Sequence, residues 1–379
     1  MDDSRNPSDR YARQVILPGI GMEGQERLRQ ARVLLVGLGG LGSPAGMYLA
    51  TAGVGTLGLA DPDTVDASNL HRQILHPESH LGSSKIESAR KRLLEHNASL
   101  KVQIIPDGIT PQNAVQVFED YDLIIDGTDN FPSRYLINDA ACLTGKPVVH
   151  GSIFQYEGQV TLFHPSGGSP CYRCLFPSLP DAAMVPNCAE AGVLGTLCGL
   201  IGSWQAAEAI KWILGIGEPL AGRIKILDML SGIDRIVHLD KDPDCPLCGS
   251  SPTIRTICSE NYQLPSCPKG SRLDLEISVA EAARMIKEDH PPLFLDVREP
   301  HERKICRLEN DLHIPAGELA RSQENLPRDQ PILIYCHRGT RSLYAARLLR
   351  ENGFPEVQSL HGGIDQWARE IDPAMARYG

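Results

Sequence analysis

Residues 32–42 read RVLLVGLGGLG, an unbroken apolar strand that runs straight into a glycine-rich turn. A strand with no polar alternation is buried on both faces, as a parallel strand covered by helices is. Gly37, Gly39, Gly40 and Gly42 keep the G-x-G-x-x-G spacing, and a helical stretch follows from about Leu41 to Ala52. Glycines let a backbone approach phosphates closely, and the free N–H groups at a helix start favour an anion. The next strand, GTLGLAD, ends at Asp61, where a carboxylate can hold ribose hydroxyls. Strand, loop, helix and acid in this order predict an α/β, Rossmann-like nucleotide fold with a mostly parallel sheet.

The alternation continues with a helical stretch over 84–97 and strands in KVQIIP, DLIIDGTDN and KPVVHG. Residues 192–214 predict a long apolar helix, or a pair broken at a glycine, serving as core or dimer contact. From 249 to 272 the period fails and the chain reads as linker. A second rhythm follows: helical EISVAEAARMIKED, strands PLFLDVRE and PILIYC, and helical SLYAARLLRENG. The expected organisation is a first domain over 1–248, a linker over 249–272 and a smaller α/β domain over 273–379, in keeping with the length of 379 residues. No apolar run reaches the roughly 18 residues that a membrane span needs. The N-terminus MDDSRNPSDR lacks the apolar core of a signal peptide. The expected location is cytoplasmic, with no membrane contact. Net charge is −10 with no basic half, which argues against direct nucleic-acid binding.

The glycine fingerprint alone would indicate a nicotinamide dehydrogenase. The charges around it argue otherwise. Arg13, Arg72 and Lys85 are of a kind to neutralise a triphosphate, and Asp129, in the Thr128-Asp129-Asn130 tip of a strand, is of a kind to hold Mg²⁺. Hydride transfer has no need of this set.

Eleven cysteines, an odd number without a secretory signal, direct attention to metal or thiol chemistry before disulfides. Cys171 and Cys174, with Cys245 and Cys248, form two CxxC pairs, and four thiolates fit a closed, structural Zn²⁺ site. Cys188, in PNCAEAGV, precedes the long apolar helix, where a helix dipole stabilises a thiolate; its plain alternative is a small buried hydrophobe. Cys142 and Cys198 read as core, while Cys258, Cys267 and Cys306 have no assigned chemistry. Cys336 follows strand PILIY, and its loop to Arg341 opens directly into a helix. Backbone N–H groups, the helix dipole and two arginines there would stabilise a thiolate and hold an anion.

These segments resemble known families. RYARQ (10–14), GLGGLG (37–42), AGVGTLGLAD (52–61), SNLHRQ (68–73), Lys85, TDN (128–130), EGQV (157–160), PCYRC (170–174) and CPLC (245–248) resemble the ubiquitin-activating-like adenylyltransferases of the MoeB/ThiF type. The resemblance implies that Gly40, Asp61, Ser68, Asn69, Arg72, Lys85, Asp129 and Asn130 contact ATP or its Mg²⁺. It also implies that Arg13 reaches the partner's phosphates across a homodimer, and that Cys188 captures the activated carrier. The Cys336 loop, with LFLDVREPHERKICRL (293–308) and HGGIDQW (361–367), resembles rhodanese domains, which implies a persulfide on Cys336. Cysteine phosphatases use a similar cradle, but with one more residue between cysteine and arginine. Asp296 and Arg298 read as orienting the loop rather than reacting, and His337 and Thr340 depart from the loops expected of relatives.

Together the resemblances imply ATP-dependent adenylation of the C-terminal Gly-Gly of a ubiquitin-like sulfur carrier, then sulfur transfer from Cys336 to give a thiocarboxylate. This is the chemistry of molybdenum cofactor biosynthesis or tRNA thiolation, with a cysteine desulfurase or thiosulfate as donor. Two alternatives stay open: a nicotinamide-dependent oxidoreductase fused to a thiosulfate sulfurtransferase, and a non-catalytic scaffold for ubiquitin-like partners.

Overall fold

The computed structural model describes residues 10–180, 192–262, 275–287 and 291–378. Cys188 and Cys267 lie outside them. The chain divides into two compact units, one holding residues 10–179 and 192–262, the other the described residues from 275 onward.

The first unit is built on eight strands, β1 (Arg32–Val36), β2 (Thr56–Ala60), β3 (Lys101–Ile105), β4 (Leu123–Asp126), β5 (Val148–Phe154), β6 (Glu157–Phe163), β7 (Arg223–Asp228) and β8 (Ile233–His238), in the spatial order 3-2-1-4-5-6-7-8. Pairing is parallel from β3 through β5 and antiparallel from β5 to β8. The mostly parallel sheet is thus the one the alternation predicts, with an antiparallel wing added. Four of the five residues of β1 and all of β4 are buried, as strands covered on both faces must be. The strand order reverses at β1, between β2 and β4, and a crevice at the carboxyl ends of such a pair is where α/β sheets bind ligands.

Residues Gly195–Leu214 form one continuous helix rather than a broken pair. Gly202 does not break it; it permits close packing, since a Cβ there would lie 2.3 Å from the Leu41 carbonyl oxygen. Among the described residues, no helix is long and apolar enough to cross a membrane. The stretch 249–262, read from the sequence as the start of the linker, packs on this first unit. Tyr262 is buried and donates to Asp139 Oδ2 at 2.9 Å.

The second unit has five parallel strands, β9 (Glu276–Ile277), β10 (Leu293–Asp296), β11 (Leu312–His313), β12 (Ile332–Tyr335) and β13 (Val357–Leu360), in the order 11-10-12-13-9. β12 is central and wholly buried.

Candidate functional site

The glycine turn is held through both backbone polar groups of one residue, Leu38. Leu38 N–H donates to Asp61 Oδ2 at 2.7 Å, and the Leu38 carbonyl meets His76 Nε2 at 3.0 Å and Ser43 Oγ at 3.2 Å. Burial pushes the His76 pKa down, so the ring is neutral and braces the loop rather than carrying charge. Gly37 has φ +89°, and a Cβ there would lie 2.8 Å from the Gly127 carbonyl oxygen. The end of β1 therefore touches the end of β4, which brings the glycine turn beside Thr128-Asp129-Asn130.

The TDN tip is shaped by Asp126. Its carboxylate accepts from His150 Nδ1 at 2.7 Å, Thr128 N at 3.0 Å and Thr128 Oγ1 at 2.7 Å. Burial opposes ionisation, but the hydrogen bond and charge of His150, with Arg134 and Thr128, hold the Asp126 pKa below its ordinary value. Asp129 stands exposed beyond this brace. Asn130 caps the helix Phe131–Thr144 by accepting from Ser133 N at 3.0 Å, which gives it a local structural task.

The remaining nucleotide candidates are distributed unevenly. The Arg72 stem lies against the loop, its Cγ 3.5 Å from where a Cβ of Gly40 would sit, and its Nη1 donates to the Ser68 carbonyl at 2.9 Å. Ser68 and Asn69 form a short 3₁₀ turn capped by Asp66. Lys85 reaches the crevice with its ammonium paired to Asp63 at 2.8 Å and 4.0 Å from Asp61. Arg13 is exposed on the short helix Ala12–Val15, and among the described residues no hydrogen bond or ion pair joins it to the crevice. The residues fit a nucleotide: a glycine turn at a helix start, a carboxylate at the second strand end, and beside Gly39 the buried Gln73, whose Oε1 has no protein partner.

Cys171, Cys174, Cys245 and Cys248 converge, their sulfurs all within 4.8 Å of one another. Individual separations run 3.4, 3.5, 3.6 and 3.9 Å. These are far too long for disulfides and near the roughly 3.8 Å edge of a tetrahedron with metal–sulfur bonds of about 2.3 Å. Burial, then the charges of the neighbouring sulfurs, push the Cys171 thiol far up; burial first of all lifts Cys248 to about 12. Four thiols held this close become thiolates together only around a cation, so the donor set fits a metal ion. Cys142 packs beside the cluster but is not one of its four members. Cys198 is fully buried, as its apolar context predicts.

In the second unit, buried Cys336 leaves the end of β12. Its sulfur accepts from Gly339 N–H at 3.1 Å and Ser342 Oγ at 3.5 Å. The HGG motif explains how the loop is held. Ile364 N–H donates to the Cys336 carbonyl at 2.9 Å and Asp365 N–H to the His337 carbonyl at 3.1 Å. Gly363 has φ +61°, and a Cβ there would lie 2.4 Å from the Cys336 carbonyl oxygen. These bonds fix the carbonyls of Cys336 and His337, and the Gly339 N–H faces the sulfur. Arg341, expected at the anion, places its guanidinium on Glu302 through bonds of 2.7 and 2.8 Å. Arg338 is exposed. Asp296 and Arg298 form a buried pair with bonds of 2.9 and 2.7 Å. Sequence reasoning did not find His150, Gln73, Glu302, Ser342 or Tyr378; only Glu302 carries a local signal, the Glu299/Glu302 capping box.

Comparison with known proteins agrees with this geometry. The ThiF family model matches residues 11–247, and the rhodanese-like domain model matches residues 278–370. The chain is 39% identical to the adenylyltransferase and sulfurtransferase MOCS3-1 of Zea mays, over 99% of this chain and 85% of that protein. It is 41% identical to the probable adenylyltransferase/sulfurtransferase MoeZ of Mycobacterium tuberculosis, over 99% of this chain and 96% of that protein. In fold it is similar to the crystal structure of E. coli MccB with MccA-N7isoASN, with TM-score 0.57 and 23% identity over 65% of this chain and 76% of that one.

Proposed function

Because the chain belongs to the ThiF family and carries a rhodanese-like domain behind that region, an adenylyltransferase and sulfurtransferase in one polypeptide, we propose that its substrate is a ubiquitin-like sulfur carrier ending in Gly-Gly. A carboxylate is a poor electrophile, and adenylation gives it a leaving group. A carrier carboxylate oxygen bonds to the α-phosphorus of ATP, and the bond to pyrophosphate breaks. The glycine turn Gly37–Gly42 and its helix start receive phosphate charge, with Arg72 and Lys85 nearby. Asp61 holds the ribose, and Ser68, Asn69 and Asn130 line the same crevice. Asp129 would hold Mg²⁺, which neutralises charge on the leaving pyrophosphate. Exposed Arg13 acts across a homodimer, on the partner's nucleotide. The four-cysteine cluster takes Zn²⁺ in a structural role, since a closed Cys₄ shell leaves no position for substrate.

The terminal sulfur of a Cys336 persulfide then bonds to the acyl carbon as AMP leaves. A thiol breaks the remaining S–S bond, keeping the Cys336 sulfur in a disulfide and releasing the thiocarboxylate. Cys188, outside the described residues, keeps the acyl-capturing role that the resemblance gives it: where it takes the acyl group first, AMP leaves at that step and the Cys188 thiolate is the group that the persulfide sulfur then displaces. A cysteine desulfurase or thiosulfate supplies the sulfur, and the setting is the cytoplasm. The observation that supports this reading most is Cys336 at the end of the central strand, with Gly339 N–H and Ser342 Oγ on its sulfur. A nicotinamide reading leaves Arg72, Lys85 and Asp129 without work.

The test is intact-mass analysis of purified carriers incubated with the full chain, ATP and thiosulfate. The expected result is the oxygen-to-sulfur mass gain on at least one Gly-Gly carrier. ATP turnover with every carrier mass unchanged would refute the proposed product.

A further inference from the structure

Tyr378 ties together both ends of the Cys336 loop. Its ring lies flat on the buried imidazole of His337, the centroids 4.2 Å apart and the planes 14° apart. Its hydroxyl accepts from Arg298 Nη1 at 2.9 Å and donates to Glu302 Oε1 at 3.0 Å. Glu302 in turn holds Arg341, the last residue of the loop, while Arg298 is fixed on Asp296 at the end of β10. One side chain therefore touches the second residue of the loop directly and the last through a single carboxylate. The segment carrying it is itself anchored: Arg377 Nε donates to Asp365 at 2.9 Å, and Met375 packs on the core around Trp367. Burial, with the charge of Arg338, pushes the His337 pKa down, so the contact is a neutral aromatic stack.

We propose that Tyr378 is a positioning residue for sulfur transfer: by stacking on His337 and bridging Arg298 to Glu302 it holds the Cys336 loop with the Gly339 N–H on the sulfur. This rests on the reading of Cys336 as the sulfur carrier. The helix start at Ile364 and Asp365 restrains the loop backbone from one side; Tyr378 restrains its side chains from the other. Sulfur transfer needs the attacking sulfur, the donors and the acceptor aligned, and a displacement of about 1 Å in such an arrangement costs up to roughly 100-fold in rate. A purely structural contact would lower the melting temperature and leave the turnover of folded protein unchanged.

The experiment uses the full chain with thiosulfate as donor and cyanide as acceptor, well below the melting temperature of each variant. Tyr378→Phe keeps the ring and loses the hydroxyl bridge; Tyr378→Leu keeps bulk and loses both. The expected order of kcat is parent, then Phe lower by roughly threefold, then Leu lower by about tenfold or more. KM for thiosulfate changes little, and ATP–pyrophosphate exchange is retained in both. A Leu variant within twofold of the parent overturns the proposal. So does an unchanged Phe variant beside a Leu variant that fails to fold, since only a structural role then remains. Cys336→Ala separates the two ideas: if it still transfers sulfur, the carrier reading fails and the brace with it. An inactive Cys336→Ala beside a fully active Tyr378→Leu removes the brace alone.

Discussion

Arg341 and Glu302 face each other through two parallel hydrogen bonds of 2.7 and 2.8 Å, with the Glu302 side chain almost wholly buried. Burial alone would raise the carboxyl, yet the bonds and charge of Arg341, with the Glu299 N–H and the Tyr378 hydroxyl, hold it at about 2 against an ordinary 4.5. The pair fastens the start of the helix Thr340–Glu351 to the short helix Pro300–Arg303 that follows β10. It is one reason the Cys336 loop keeps its shape.

That depressed value sets a pH dependence. A carboxyl whose folded pKa lies below its unfolded one stabilises fully above the unfolded value, and the contribution disappears as pH falls through the folded value. For Glu302 the loss begins below about 4.5 and is complete near 2, on the order of 3 kcal/mol in all. Denaturant unfolding of the sulfurtransferase transition at stepped pH measures it. Glu302→Gln is expected to flatten the profile over this window and to lower stability at pH 7 by about 3 kcal/mol or more, because Arg341 is left without its counter-charge. A Gln variant with the parent profile would exclude this pair as the source.

The four-cysteine cluster leads to a metal-removal prediction. Cys174 joins the set through Cys248 at 3.4 Å, and the two CxxC pairs tie the short helix Tyr172–Leu175 to residues 245–248. Cys174→Ser is expected to lose its tightly held zinc in elemental analysis and to lower the melting temperature of the adenylyltransferase unit. A chelator should act on the parent in the same direction and leave the variant unmoved. One zinc per chain retained in Cys174→Ser would assign the metal elsewhere.

What the sequence shows and hides follows from separation along the chain. The glycine turn, Asp61, the TDN tip, both CxxC pairs and Cys336 are legible as candidates because each is a local pattern of residue types suited to one chemistry. His150 on Asp126, Arg341 on Glu302 and Tyr378 on Glu302 meet across 24, 39 and 76 residues. Only the strand crossings bring them together, and no periodicity encodes such pairings. The expectation that Arg341 serves the anion directly was reasonable for a cation at a helix start; Glu302 competes for it, and Glu302 arrives from a different element. Residues 249–262 read as linker because Tyr262 is a single aromatic in a polar stretch, and its anchor, Asp139, lies in a distant helix.

Two glycines give opposite expectations for one substitution. Gly42→Ala would set a Cβ 1.9 Å from the Gly37 carbonyl oxygen, whereas Gly199, within the helix Gly195–Leu214, has open space around its Cβ direction. The helix preference for alanine over glycine is worth up to about 1 kcal/mol. At 199 it acts alone, and the variant is expected to gain stability with adenylation intact. At 42 the overlap with backbone outweighs it, costing roughly 1–3 kcal/mol and opening the glycine turn. Carrier-dependent ATP–pyrophosphate exchange should then fall at least about tenfold. Equal exchange rates in the two variants would show that the turn is not the phosphate site.

The two reactions should separate at Cys336. On the proposed reading adenylation uses the glycine turn, Asp61 and the TDN tip, all carried by the first sheet, and the persulfide uses the Cys336 sulfur and the loop after β12. Cys336→Ala removes one sulfur atom from a buried position and leaves Gly339, Ser342 and the Ile364 backbone bond in place, so the second unit is expected to stay folded. Carrier thiocarboxylate should become undetectable by mass spectrometry, while carrier-dependent pyrophosphate exchange continues at the parent rate. The acyl-adenylate then accumulates or hydrolyses, visible as slow AMP release. A folded Cys336→Ala protein that lost both activities would mean that Cys336 also serves the activation step.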